Sequence, residues 1–163
     1  MPSQLLIRFS LLLAGLLIIL GGPSLIVFYT DWLWFNELGF RGVYLKVLVT
    51  RVALFAAGAG AFGLIAGICL YFAHRVSQGP EEIPLPPQIR GVLKRLIFWG
   101  TIGGAAVLSV IFGVVAAGQW EIFLRYESAS SFGILDPVYS KDVAFYVFQL
   151  PLYGFLQTWF LSA

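Results

Sequence analysis

The chain has 163 residues, of which 60% are hydrophobic and 11% are charged, and its formal net charge is +2 at pH 7. Soluble domains carry about 25% charged residues, so these few charges cannot cover a water-exposed globular surface. The composition therefore indicates an integral membrane protein, and the small net charge argues against nucleic-acid binding.

Four long stretches without an ionisable charge predict membrane-embedded helices, at residues 9–30, 52–73, 96–120 and 143–163. A helix rises about 1.5 Å per residue, so about 20 apolar residues cross the hydrocarbon core of a bilayer. We predict an all-α integral membrane protein with three transmembrane helices and the start of a fourth. The expected spans are residues 5–29, 47–72, 96–118 and an incomplete 151–163, all within an N-terminal transmembrane region, residues 1–163, of a longer protein.

The first predicted span contains Arg8 near its start and the sequence Gly21-Gly22-Pro23 in its second half. Proline removes a backbone donor and clashes with the preceding turn, which predicts a kink. A basic residue before an apolar core is also typical of a signal peptide. The apolar stretch continues to Tyr29 without a small-residue cleavage site, so we expect a retained anchor.

Aromatic residues near the span ends are typical of the belt at the membrane–water boundary. We interpret residues 31–51 as an aromatic interfacial loop that leads into the second span. The predicted interfacial aromatics are Trp32, Trp34, Phe35 and Trp120.

Small residues recur every fourth position in the second and third spans and so share one helix face. They are Ala59, Gly63 and Gly67 in the second span, and Ala105, Ser109, Gly113 and Ala117 in the third. Such spacing lets two helix backbones approach closely in lipid, so we predict that the two spans pack through these residues. The alternative is the ordinary abundance of glycine in membrane helices.

Two polar connectors complete the predicted topology. A Pro-rich polar loop around residues 78–87 is expected to be an extended linker, with a docking segment as the alternative. An acidic-aromatic loop follows the third span, with a turn at Asp136-Pro137. Residues 143–148 fit either a short strand or the start of a helix, and Leu150-Pro151 fits helix entry.

The chain lacks the residue patterns of known catalytic, cofactor-binding and metal-binding sites. Its single cysteine, Cys69, and single histidine, His74, lie in or beside a span, and no glycine-rich phosphate loop is present. We therefore predict no catalytic, cofactor or metal residue here, and favour a non-enzymatic role. Carboxylates of the acidic-aromatic loop offer a calcium-binding alternative, but their spacing matches no standard loop and favours solvated turn residues.

The distribution of basic residues favours a cytoplasmic N-terminus in the cell membrane. With that orientation the basic residues on the cytoplasmic side are Arg8, Arg75, Arg90, Lys94 and Arg95. The predicted partners are the lipid bilayer, the remainder of the same chain and other membrane proteins, with no nucleic acid.

Two segments carry a family resemblance. Residues 29–40, YTDWLWFNELGF, and the pair FGILDP at 132–137 and KDVAFYVFQLP at 141–151 occur in this order. They resemble signatures of uncharacterised protein family 0182, a group of large bacterial membrane proteins. The resemblance implies a multi-pass cell-membrane protein that is much longer than this chain and has a large extramembrane region. It implies no activity, cofactor or catalytic residue.

Two functions follow as hypotheses from these residues, and an enzyme whose site lies in the remainder of the longer protein is a third. No charged residue lies in the middle of any predicted span, and intramembrane charges usually mark ion or proton pathways. This absence favours a membrane anchor or scaffold for an extramembrane region. The kinkable first span and the small-residue faces leave a transporter or channel-like component as the alternative.

Overall fold

The computed structural model describes residues 21–76 and 87–163, with side chains in the second range from residue 91 onward. Residues 21–37 form helix α1. It is followed by α2 (Arg41–Val76), α3 (Pro87–Gly118), α4 (Trp120–Glu127), a π-helix (Phe145–Gln149) and α5 (Leu150–Ser162). No β-strand forms in these ranges, where one isolated antiparallel bridge joins Leu135 to Asp142. The chain divides between Val47 and Leu48 into two compact units.

In the first unit, the aromatic segment predicted as a loop is largely helical. Residues 31–37 continue α1, and only residues 38–40 separate it from α2. Gly39 has a φ of +76°, a conformation that glycine adopts without steric cost. Its N–H donates to the Asn36 carbonyl at 3.2 Å and that of Phe40 to the Phe35 carbonyl at 2.9 Å. These two bonds form the Schellman ending of a helix. The prediction of an interfacial loop over residues 31–51 was wrong because this glycine reverses the chain within three residues.

Tyr44, near the start of α2, packs on α1 in the same unit. Its hydroxyl donates a 3.3 Å hydrogen bond to the Phe28 carbonyl. Its ring lies 5.8 Å from that of Trp32 and 5.3 Å from that of Phe35, measured between centroids. These contacts pack one face of the aromatic segment against α2 and leave Trp32, Phe35 and Tyr44 half-buried.

Two helices are long and apolar enough to span a membrane, at Arg41–Val76 and Gly91–Gly118. They contain the second and third predicted spans, so the all-helical class and these two apolar helices are confirmed. Helix α2 extends beyond the predicted bounds at both ends and α3 at its start, because hydropathy marks only the apolar part of a helix that continues into more polar residues. The first predicted span lies mostly outside the described residues, as does most of the Pro-rich loop. Helix α5, which covers most of the incomplete span predicted at residues 151–163, has 13 residues, fewer than the roughly 20 that cross a bilayer.

Helices α2 and α3 lie antiparallel in the second unit. Gly58 faces Ala116, and Gly63, further along α2, faces Ser109, earlier in α3. The ring of Phe62 stacks on that of Phe112 with a centroid distance of 4.3 Å. Trp159 of α5 meets Phe112 edge-on at 5.4 Å. The three helices therefore share an aromatic contact.

Candidate functional site

The predicted small-residue faces of α2 and α3 meet at several of their members. A Cβ atom added at Gly113 would lie 2.9 Å from the Cβ of Ala59 and 2.9 Å from the Phe55 carbonyl oxygen. One added at Gly63 would lie 3.4 Å from the Ser109 hydroxyl oxygen. Backbones this close leave no room for larger side chains. The Ser109 hydroxyl donates to the Ala105 carbonyl of its own helix at 2.8 Å, so it is satisfied within α3.

Other members of the predicted set contribute differently. Gly67 faces open space, and Ala117 is partly buried. Gly58 and Ala116 were missed, although a Cβ added at Gly58 would come within 2.7 Å of the Ala116 Cβ. Each lies next to a residue that the spacing did identify, so a broader helix face would have included both.

Two of the predicted interfacial tryptophans lie beneath arginines. The Arg41 guanidinium is 5.1 Å from the ring centroid of Trp32, and that of Arg51 is 4.9 Å from Trp120. Cation–π contacts of this kind stabilise by about 0.5–1 kcal/mol at exposed sites. Trp34 is 57% exposed and meets the Phe35 ring edge-on at 5.0 Å.

Asp142 organises the acidic-aromatic loop. Its carboxylate accepts hydrogen bonds from the Ser131 hydroxyl, the Ala144 N–H at 2.8 Å and the Gly133 N–H at 3.1 Å. The Phe132 N–H is a further donor at 3.3 Å. The Ser131 hydroxyl, followed by these N–H groups, lowers the pKa of Asp142 to about 2. The Asp142 side chain thus ties the residues after α4 to the start of the next helix.

Asp136 forms the second part of the loop. Its carboxylate accepts the Val138 N–H at 3.1 Å, the Tyr139 N–H at 3.3 Å and the Tyr146 hydroxyl at 2.6 Å. The Tyr146 hydroxyl chiefly lowers the pKa of Asp136, and the same bond raises the pKa of Tyr146 to about 12. The predicted turn at Asp136-Pro137 is therefore an Asx-type turn fixed to the π-helix.

These bonds determine what the loop can do chemically. Both carboxylates accept hydrogen bonds from donors of the loop and of the helical segment that follows it. A cavity of about 230 Å³ lies beside Asp142 and is lined in part by Ser130, Phe145 and Gln149. In residues 21–76 and 87–163, no group of three or more His, Cys, Asp or Glu side chains is placed to hold a metal ion. The arrangement is suited to holding the loop in one conformation.

The π-helix connects this loop to α5. Residues 143–144 are helical, and the wider π-turns of Phe145–Gln149 pass directly into α5 at Leu150. The structure thus resolves the two alternatives for residues 143–148 in favour of a helix start. Pro151 is the second residue of α5, which agrees with the helix entry predicted at Leu150-Pro151.

Comparison with known proteins identifies close sequence relatives. The chain is 36% identical over 163 residues to a UPF0182 protein of Rhodococcus erythropolis, and the match covers 96% of the chain. It is 38% identical to one of Rhodococcus opacus over 99% of its length, and 37% identical to one of Mycobacterium bovis over 91%. In each case the match spans 16% of the relative.

No solved structure matches the chain. Residues 8–163 match the sequence model described as "Uncharacterised protein family (UPF0182)". This match confirms the resemblance carried by the YTDWLWFNELGF and KDVAFYVFQLP segments. The chain therefore belongs to the uncharacterised protein family UPF0182.

Proposed function

We propose that this chain is the membrane-embedded region of a multi-pass cell-membrane protein and serves as an anchor and scaffold for the rest of that protein. The observation that carries the proposal is the close antiparallel pairing of two long apolar helices. Only 11% of the most apolar window of each helix is buried. The core helix of a soluble protein would be mostly buried, whereas lipid can cover the exposed apolar side chains.

The boundary residues support this placement. Arg51 immediately precedes the uncharged stretch 52–73, and Trp120 ends the stretch 96–120. The cation–π contact between Arg51 and Trp120 brings these two limits together, which supports a common boundary of the apolar layer for the two helices. The acidic-aromatic loop follows on this side, which is the outer side if the N-terminus is cytoplasmic.

Anchoring is tested by exchanging α2 and α3 together for an unrelated transmembrane hairpin in the full-length protein. We expect the exchanged protein to remain in carbonate-washed membranes and to retain its cellular phenotype. Loss of the phenotype with normal membrane insertion would contradict a purely anchoring role. Recovery of the unaltered protein in the soluble fraction would contradict membrane embedding itself.

Orientation is tested with single cysteines in a full-length protein whose native cysteines, including Cys69, are replaced by serine. A Ser130→Cys variant should react with a membrane-impermeant maleimide in intact cells, because the proposal places this loop outside. Reaction only after lysis would reverse the orientation, as would an external signal from a reporter fused after residue 85.

A transporter or channel-like component is the second candidate. The observation that favours it is the π-helix Phe145–Gln149, because π-helical turns recur at functional sites. Vesicles containing the full-length protein should then show solute flux that a one-residue deletion in the π-helix abolishes. Lack of flux across a broad solute panel would count against transport and leave the anchoring role.

A further inference from the structure

A groove runs along one face of α3 near its start. It has a volume of about 530 Å³ and is lined by Gly91, Val92, Arg95, Leu96 and Trp99. Gly91, Arg95 and Trp99 are spaced i, i+4, i+8, and Val92 and Leu96 form the neighbouring row, so all five lie on one face of the helix. Apart from the Arg95 guanidinium, this helix face is apolar. Gly91 leaves the groove open, because nothing lies within 4 Å of a Cβ atom added there.

The groove crosses the boundary of the apolar layer. Arg95 is the last charged residue before the uncharged stretch 96–120. Trp99 is one turn further along α3 and therefore about 6 Å deeper along the helix axis. The row thus presents a cation at headgroup level and an apolar wall below it. Leu96 and Trp99, the side chains of this wall, are 69% and 64% exposed, so the wall is available to a ligand.

The described ionisable side chains at this end of the helix pair are basic, apart from the Tyr71 hydroxyl. Because α2 and α3 are antiparallel, His74 and Arg75 at the end of α2 lie at the same end as Lys94 and Arg95. In the described parts of this end, residues 71–76 and 87–99, the sequence has no Asp or Glu. Arg75 donates to the Tyr71 hydroxyl at 3.2 Å, whereas no described hydrogen bond or ion pair engages the Arg95 guanidinium. A guanidinium in this position matches the two oxygens of a phosphate.

We propose that this groove binds an anionic phospholipid, with its phosphate on Arg95 and an acyl chain along Leu96 and Trp99. The proposal rests on the membrane embedding proposed above. A lipid fits where a free anion does not, because the groove continues from the cation into apolar surface. Its volume lies within the range of about 300–1,000 Å³ that is usual for small-molecule sites.

The test is native mass spectrometry of the full-length protein released from nanodiscs of mixed phosphatidylglycerol and phosphatidylcholine. We expect retained phosphatidylglycerol, which Arg95→Gln reduces about tenfold because a charge-assisted contact is lost. Arg95→Lys should be intermediate. Arg75→Gln, at the same end but outside the groove, is the matched control and should retain lipid as the unaltered protein does.

Several outcomes would overturn the lipid site. They are equal retention by Arg95→Gln and Arg75→Gln, equal retention of the two lipids, or complete displacement of the lipid by inorganic phosphate. A Val92→Trp variant, which fills the groove and keeps the charge, should also lose the lipid. Each result is read only from protein that remains in carbonate-washed membranes, so failure of membrane embedding is detected separately.

Discussion

The indole Nε1 of Trp159 in α5 donates a hydrogen bond of 3.3 Å to the backbone carbonyl of Phe112 in α3. A carbonyl oxygen has two lone pairs, so it can accept this bond in addition to the one within its helix. Trp159 is also one of the most buried side chains of the described ranges, at 6% exposure. The bond satisfies a donor that would otherwise be buried without a partner, and it fixes α5 to α3.

We predict that Trp159→Phe lowers the free energy of unfolding by about 0.5–1.5 kcal/mol, because the ring contact is largely kept while the hydrogen bond is lost. Denaturation in mixed micelles followed by circular dichroism measures the change. Trp34→Phe is the control, since Trp34 is 57% exposed. Equal losses in the two variants would show that the Phe112 carbonyl contributes nothing.

We predict that Gly58→Ala and Gly113→Ala destabilise the α2–α3 pair by about 1–3 kcal/mol each, as overpacking does in a tight core. The added Cβ atoms would come within 2.7 Å of Ala116 and 2.9 Å of Phe55. Gly60→Ala is the matched control in α2, because its Cβ would meet nothing within 4 Å. It should be neutral or stabilising by up to about 1 kcal/mol, since alanine favours helices. A loss in the control equal to that in the two variants would contradict close packing at Gly58 and Gly113.

We predict that the loop held by Asp142 resists acid. The folded-state pKa of about 2 is below the ordinary 3.8, so the stabilisation is complete above pH 3.8 and is lost as the pH falls through 2. Amide hydrogen exchange at Gly133 and Ala144, corrected for its intrinsic pH dependence, should stay slow down to about pH 4. Asp142→Asn should accelerate it at neutral pH, whereas Asp31→Asn in α1 should not. Unchanged exchange in Asp142→Asn would show that other contacts hold the loop.

We predict that Tyr146 ionises near pH 12 instead of its ordinary 10.0, because its hydroxyl donates to Asp136. A raised pKa stabilises the neutral form in the folded loop, so this contribution is complete below pH 10 and is lost as the pH rises through 12. Ultraviolet difference titration measures the step, which Tyr146→Phe removes and Asp136→Asn moves toward pH 10. Tyr126→Phe, the control, should leave the titration step near pH 12 unchanged. If the titration step of Asp136→Asn stayed near pH 12, the hydrogen bond from Tyr146 to Asp136 could not be the cause of the raised pKa.

The sequence predicted those features that arise from repetition along one helix. The lengths of the uncharged stretches predicted α2 and α3, and the four-residue spacing selected Ala59, Gly63, Ser109 and Gly113, which the structure brings together. Features that depend on a single backbone conformation were not predictable in this way. Gly39, in the left-handed conformation, ends α1 just before α2 begins, so two helices occupy the segment that was predicted as a loop. Likewise, the bonds that occupy Asp142 come from donors two to eleven positions away, and no periodic pattern marks them.

The π-helix has a geometric consequence for everything that follows it. An α-helix turns by about 100° per residue, and a π-turn accommodates about one residue more than an α-turn. The stretch Phe145–Gln149 therefore sets the angular phase of α5, and with it the direction in which Trp159 points. If all five residues of this stretch were wound as an α-helix instead, the indole would rotate by about 100° around the axis of α5, away from Phe112, without a change in any residue at the contact. The rotational register of α5 against its neighbours is thus determined about ten residues before the contact that depends on it.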